Sequence, residues 1–199
     1  SFAIFLKKKK MKSVAIGYDG RKTSLKLEKQ LIKGLISKGI NVCRIGLVPT
    51  PLLYYSMYSL KLDSGIMITG SHNPPEYNGF KILLKNKNIV GDDILNIAKI
   101  SSQGKFSPDK KGKVFFKSMS FKYLNFLNTL ANFSNKIKIA WDPGNGSSGN
   151  IIKNLVKNLN GKHILINEKV DGNFPSHHPD PTVEKNLKQI INLVKKEKC

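Results

Sequence analysis

The chain is poor in the features that would place it outside ordinary globular proteins. Its 199 residues include two cysteines, Cys43 in an apolar run and Cys199 at the last position. Two cysteines so placed make neither a disulfide framework nor a metal-ligand pattern, so both read as free thiols. No stretch approaches the roughly 18 consecutive apolar residues of a membrane span. The opening run Phe2 to Leu6 is far too short, and it precedes Lys7 to Lys10 instead of following a basic region, the reverse of a secretory signal. A cytoplasmic protein with no membrane partner is therefore expected. Arginine is also scarce, because all but two of the 34 basic residues are lysine, leaving Arg21 and Arg44. Against 13 acidic residues the formal charge is +21, and so basic a chain invites a nucleic-acid reading through counterion release. Base readout and phosphate forks favour arginine, however, and no aromatic residues interleave the basic runs. The lysines read as solvated helix faces and chain ends, and no specific nucleic-acid partner is expected. With 40% apolar residues, the chain can form one large or two small domains with real cores.

Strand and helix signals alternate along it. Ser13 to Tyr18 is β-prone and ends in the Asp19-Gly20 turn; Ser24 then caps a helix with Leu27, Leu31, Leu35 and Ile36 on one face, stopped by Gly39. Asn41 to Leu47 is a strand, Pro49 and Pro51 flank the start of a helix through Leu60, and Gly65 to Ile68 is a third strand. Phe80 to Leu84 follows as a strand, and Asp92 or Asp93 begins a helix to Ile100. After a polar stretch, Ser101 to Gly112, comes an apolar-periodic helix near Phe121 to Phe133. The pattern then restarts with a strand at Ile137 to Trp141, a tight turn, a helix from Ser147 or Ser148 to about Leu159, a strand at Lys162 to Ile166, a loop at Asp171 to Pro181 and a helix at Glu184 to Lys196. This order predicts an α/β fold: a mainly parallel mixed sheet sandwiched by helices over residues 1–134, followed by an incomplete second α/β domain over 135–199. Ligands on such sheets bind beyond the carboxyl ends of the strands.

One segment concentrates chemistry at that end. Thr69 to Lys81 reads TGSHNPPEYNGFK and places Ser71, flanked by Gly70 and His72, directly after an apolar strand. Pro74 and Pro75 fix their own φ and push the residue before each toward extended backbone, so the loop loses little entropy on ordering. A serine hydroxyl reacts only beside a base or cation, and a stiff Ser-His loop suits a nucleophile or a phosphate carrier. The alternative is a proline-rich turn. His177 and His178 beside Asp180 invite a metal reading. It is declined, because adjacent side chains on extended backbone point apart. His163 reads as a packed histidine, and the turn at Asp142 to Gly149 reads as a domain-opening turn before it reads as a phosphate cradle.

The TGSHNPPEYNGFK segment resembles the active-serine loop of the α-D-phosphohexomutases, most closely the bacterial phosphomannomutase/phosphoglucomutase branch. Gly17 to Arg21 (GYDGR) is similar to that family's GRDGR segment, Val48 to Pro51 (VPTP) to its VPTP segment, and Asp142 to Gly149 (DPGNGSSG) to the opening of its second domain. Asp171 to Pro181 (DGNFPSHHPDP) is similar as well, so five motifs in order span nearly the whole chain. The resemblance implies phosphoryl transfer between the 1 and 6 positions of a phosphorylated hexose through phospho-Ser71, with Mg²⁺ on the seryl phosphate and a hexose bisphosphate as intermediate and activator. By motif position it assigns His72 to orienting or proton transfer, and Lys81 to the phosphoryl oxygens or acid/base work. Arg21 is a weaker phosphate-binding candidate, with an ion pair to Asp19 or the loop backbone as its other role.

The same resemblance implies what is not within these residues: an amino-terminal segment with a tyrosine and an arginine, the DGDGDR loop that holds magnesium, and two further domains. The metal's carboxylate ligands are thus expected outside the chain, which alone is expected to have little activity. Its partner would be a separate carboxyl-terminal mutase chain. A non-catalytic binding module or a truncated remnant that keeps the fold stays open as the alternative, and phosphoglucosamine as a less favoured substrate.

Overall fold

The computed structural model describes residues 1–85, 87–104, 107–109, 111–131 and 137–199. Its elements are α1 (Phe2–Lys8), β1 (Ser13–Tyr18), α2 (Ser24–Ile36), β2 (Asn41–Leu47), α3 (Thr50–Ser59), β3 (Ser64–Ile68), β4 (Phe80–Leu84), β5 (Lys87–Asn88) and α4 (Asp92–Ser102). They continue as β6 (Val114–Phe116), α5 (Ser120–Leu130), β7 (Lys138–Trp141), α6 (Gly149–Leu155), β8 (Lys162–Leu165) and α7 (Glu184–Glu197). The expected boundary between residues 134 and 135 lies outside the described residues, as does Phe133. Among those described, no helix is long and apolar enough to cross a membrane.

Six strands form one mixed sheet in the order β5-β4-β3-β1-β2-β6, and β7 and β8 pair in parallel as a second, two-stranded sheet. β1, β2, β3 and β6 run parallel, and β4 pairs antiparallel with β3 on one side and with β5 on the other. Alternation along β1 splits its side chains between two cores. Val14 and Ile16 face a cluster with Phe2, Leu6, Leu35 and Ile100, whereas Ala15 joins Cys43, Leu52, Leu53, Met57 and Met119. Helices α1, α2 and α4 therefore cover one face and α3 and α5 the other. The short opening run is a core helix, with Leu6 fully buried, and each such side chain contributes roughly 1.5–3 kcal/mol. Burial pushes the Cys43 thiol up to about 11, which keeps it protonated and unreactive at neutral pH.

Three local expectations differ from what is found. Ser24 makes no capping bond to its helix; its hydroxyl donates to Asp19 Oδ1 at 2.8 Å, because Asp19 lies at the end of the neighbouring strand. α6 stops at Leu155, well short of Leu159, since the chain must return to begin β8 beside β7. Gly161 makes that return with φ of 104°, in a place where a Cβ would sit 2.6 Å from the Ile137 carbonyl. The third difference is the edge strand β6, which falls between the polar stretch and the next expected helix, where no element is expected; it is exposed on all three residues, so no burial pattern announces it.

Both arginines serve internal forks. Arg44 donates from Nε and Nη2 to the two oxygens of Glu28 at 2.9 and 2.7 Å, joining β2 to α2. Arg21 is described below. The amino ends of β1 and β3 are tied by Asp63, which accepts from Lys12 N, Ser13 N and Ser13 Oγ. Burial acts to raise this carboxyl, but those hydrogen bonds and the charge of Lys85 outweigh it and hold the group below the usual range. A depressed folded-state value contributes stability that is present above the unfolded pKa and is lost as pH falls through the folded one. Asp63→Asn should therefore lower stability by about 1–2 kcal/mol at pH 7, and less as the pH falls below that of free aspartate. Urea melts at pH 7 and pH 3 check this; equal losses at both would refute it.

Candidate active site

β1, β2 and β3 end side by side, and the segments leaving them line a cleft of about 440 Å³. Asp19, Pro49, Thr69, Ser71, His72 and Lys81 form one wall; Asp142, Gly144, Phe174 and His177 of the second unit form the other. Ser71, His72 and Lys81 thus share a surface, as expected from the sequence. Arg21 does not line it.

The serine loop connects β3 to β4 and is closed at its base by Thr69 N donating to Gly79 O at 3.0 Å. Ser71 occupies the left-handed region with φ of 54°, a conformation that costs a non-glycine residue roughly 1–2 kcal/mol. Hydrogen bonds hold it on both sides. Its N–H donates to Thr69 Oγ1 at 2.9 Å, and its carbonyl accepts from Arg21 Nη2 at 3.0 Å. The exposed hydroxyl then meets Lys81 Nζ, which donates to Oγ at 3.2 Å. Lys81 can reach because the antiparallel register sets it opposite Met67, one residue from the end of β3. His72 is exposed and near Asp180, whose carboxyl is held low by Thr182 Oγ1 and N–H, and further by His72 and His178.

Behind the loop, Arg21 is 3% exposed. Its Nε donates to Asp19 Oδ2 at 3.1 Å; Nη2 donates to the carbonyls of Ser71 and Asn73, and Nη1 to those of Pro74 and Tyr77. One guanidinium thereby gathers four loop carbonyls. The bond to Asp19 and to the loop backbone is where the structure puts this residue; its donors are not turned to the cleft. Gly70 is needed for that brace, since a Cβ there would lie 2.5 Å from both Arg21 Cζ and the Tyr77 carbonyl. Asn78, which the sequence reading passed over, donates to Thr23 Oγ1 and Ser24 Oγ at 2.9 Å and pins the loop to the start of α2. Its position inside the serine motif was the available signal.

On the opposite wall, His177 Nε2 lies 3.0 Å from Asp142 Oδ2 and Nδ1 lies 3.0 Å from the His178 carbonyl, so the ring joins its own loop to the turn after β7. His163 accepts from Trp141 Nε1 at 3.1 Å. Asn145, at φ of 57°, ties the 142–149 turn to the loop after β8: its side chain donates to Lys169 O and accepts from Ser176 N, and its carbonyl accepts from Asp171 N. Among the described residues no group of three or more His, Cys, Asp or Glu side chains could hold a metal ion. These residues by themselves do not fit a Mg²⁺ site at Ser71. What the arrangement offers is an exposed, rigidly aimed hydroxyl beside one ammonium, facing a cleft large enough for a sugar phosphate.

Comparison with known proteins bears on this site. Residues 1–107 match the family described as phosphoglucomutase/phosphomannomutase, alpha/beta/alpha domain I, and residues 121–199 match its domain II. A phosphoglucomutase of Neisseria meningitidis is 39% identical over 188 residues, covering 94% of this chain and 41% of the relative. A phosphomannomutase/phosphoglucomutase of Pseudomonas aeruginosa is 39% identical over 184 residues, covering 92% and 40%. The crystal structure of a phosphoglucomutase/phosphomannomutase family protein from Burkholderia thailandensis superposes with a TM-score of 0.90 at 30% identity, covering 98% of this chain and 44% of that one. The chain thus spans about two fifths of the length of these curated relatives.

Proposed function

Because the chain belongs to the phosphoglucomutase/phosphomannomutase family, we propose that it supplies the phosphoserine half of a phosphohexomutase site, with Ser71 carrying the phosphoryl group. In the forward step the Oγ–P bond of phospho-Ser71 breaks and a P–O bond forms to the free hydroxyl of a hexose monophosphate. The hydroxyl proton passes to a cleft base, for which His72 is the proposed group, and the departing Ser71 Oγ takes a proton from Lys81, whose ammonium donates to it. The resulting bisphosphate gives its other phosphoryl group back to Ser71 Oγ, so that 1-phosphate and 6-phosphate interconvert with no net consumption.

The observation that carries this reading is the Ser71 hydroxyl, exposed at the carboxyl ends of the strands with Lys81 Nζ at 3.2 Å. Such transfer rests on positioning and on neutralising the phosphoryl oxygens. Lys81 supplies part of that charge. Mg²⁺ on the seryl phosphate is proposed to supply more, through oxygen ligands outside the described residues. A glucose or mannose phosphate is the proposed substrate, and a polypeptide providing the remaining length of the relatives is the proposed partner.

The test is to incubate the chain, alone and mixed with the remaining domains of the Neisseria relative, with ³²P-labelled glucose 1,6-bisphosphate or mannose 1,6-bisphosphate. Label should appear on the peptide containing Ser71, faster in the mixture. Failure of either bisphosphate to label that peptide in either preparation would sink the proposal.

A further inference from the structure

The second unit meets the brace of the serine loop where Val170, Gly172 and Phe174 pack against Gly20 and Arg21. The two backbones are close enough that a Cβ on Gly20 would lie 2.5 Å from Val170 Cγ1, and one on Gly172 would lie 2.4 Å from the Gly20 carbonyl and 2.8 Å from Arg21 Cα. Just beyond this contact the Phe174 ring centroid stands 5.0 Å from Arg21 Cζ. The edges of that guanidinium are already committed to Asp19 and to four carbonyls of residues 71–77, so the surface left for another partner is its flat face. An aromatic ring suits such a face, because its negative π cloud attracts the cation and its bulk keeps water away.

Phe174 is itself held. It sits at φ of 51°, its N–H donates to Asp171 O at 3.0 Å, and Asp171 N donates in turn to Asn145 O at 2.9 Å. A continuous set of contacts therefore runs from the turn after β7, through Asn145 and Asp171, to the ring on Arg21 and so to the Ser71 carbonyl. Loss of the ring would admit water to a charge that now has protein on every side. The guanidinium could then leave the loop for solvent.

We propose that Phe174 is a positioning residue for Ser71: acting through Arg21, it makes the order of the serine loop depend on the docked second unit. This rests on the reading of Ser71 as the phosphoryl carrier. It goes further by assigning the cross-unit contact that aims the hydroxyl.

Amide hydrogen exchange across residues 69–79 reads the clamp directly, and transfer of label from ³²P-glucose 1,6-bisphosphate to Ser71 reads its consequence. Phe174→Ala should speed exchange of that loop about tenfold and slow labelling by a similar factor, with the half-saturating bisphosphate concentration little changed. Phe174→Tyr keeps an aromatic face and should restore both. Phe174→Leu separates stacking from filling: it replaces most of the bulk without the π face, and its loop should still exchange faster than wild type. Exchange in β1 serves as the reference for global loosening, which would raise both segments together. Wild-type protection of residues 69–79 in Phe174→Ala or in Phe174→Leu would overturn the proposal, as would a uniform rise that includes β1. If wild-type Ser71 takes no label while loop exchange follows the expected order, the clamp stands and the carrier reading fails.

Discussion

With Ser71 as the proposed phosphoryl carrier, replacing it by alanine should abolish phosphoryl incorporation from a hexose bisphosphate, a loss of more than about 10³-fold, because the acceptor oxygen would be gone. Thr69 Oγ1 accepts from the Ser71 N–H, which ties it to the backbone beneath the loop. The substitution should leave the fold alone: the side chain is exposed and, among the described residues, its Oγ hydrogen-bonds only with Lys81, so stability should stay within about 0.5 kcal/mol of wild type. Ser71→Gly provides the internal control. It removes the same oxygen and also relieves the cost of φ at 54°, so it should be inactive yet more stable than Ser71→Ala by about 1 kcal/mol. Intact-protein mass after incubation with glucose 1,6-bisphosphate, with a thermal melt of each variant, decides the matter. A phosphoryl adduct on Ser71→Ala would show that the carrier lies elsewhere.

Arg21→Met should cost about 3–5 kcal/mol, because it strands a buried carboxylate and the loop carbonyls at once. Asp19 is the critical partner. Its Oδ1 accepts from Arg21 N and Ser24 Oγ, and its Oδ2 from Arg21 Nε and Gly70 N, so β1, α2 and the serine loop meet at one carboxylate. Without the guanidinium that carboxylate keeps backbone and hydroxyl donors but loses its counter-charge. Lysine does not repair the loss, since one ammonium cannot reach Asp19 and four carbonyls in the plane of a fork. Arg21→Lys should therefore recover less than half of the stability. Against a total of about 5–15 kcal/mol for a domain, either change is severe. Guanidinium unfolding measures it, and proteolysis within residues 71–79 reports whether the loop opens first. A cost below about 1 kcal/mol for Arg21→Met would contradict the arrangement described here.

The strands show why much of this fold was legible beforehand. β1, β2 and β4 fall on the residues read as strands, because short β-prone runs bounded by turn residues leave their mark in local sequence. β6 left no such mark, being an exposed edge whose place beside β2 is set by pairing at a distance. Arg21 presents the same contrast at the site. Its motif is visible, but a buried brace and a phosphate ligand look alike in sequence, since both need one fixed guanidinium. Only the position of the carbonyls of residues 71, 73, 74 and 77 tells them apart. The contact of Phe174 with Arg21 joins residues far apart in the chain that carry no shared pattern, so it could come from the folded structure alone.

The sequence by itself determined the family, the alternation of strand and helix, and the identity of Ser71, His72 and Lys81 as cleft residues, because each of these is written in short contiguous motifs. The tertiary structure decided what surrounds them: that Ser71 stands in a left-handed conformation held from both sides, that Arg21 faces inward, and that the second unit closes over it. Those outcomes depend on where separate segments meet. Hydrogen-bond satisfaction of a buried guanidinium and the close approach of Gly20 to Gly172 are properties of that meeting, and no local preference of either segment specifies them.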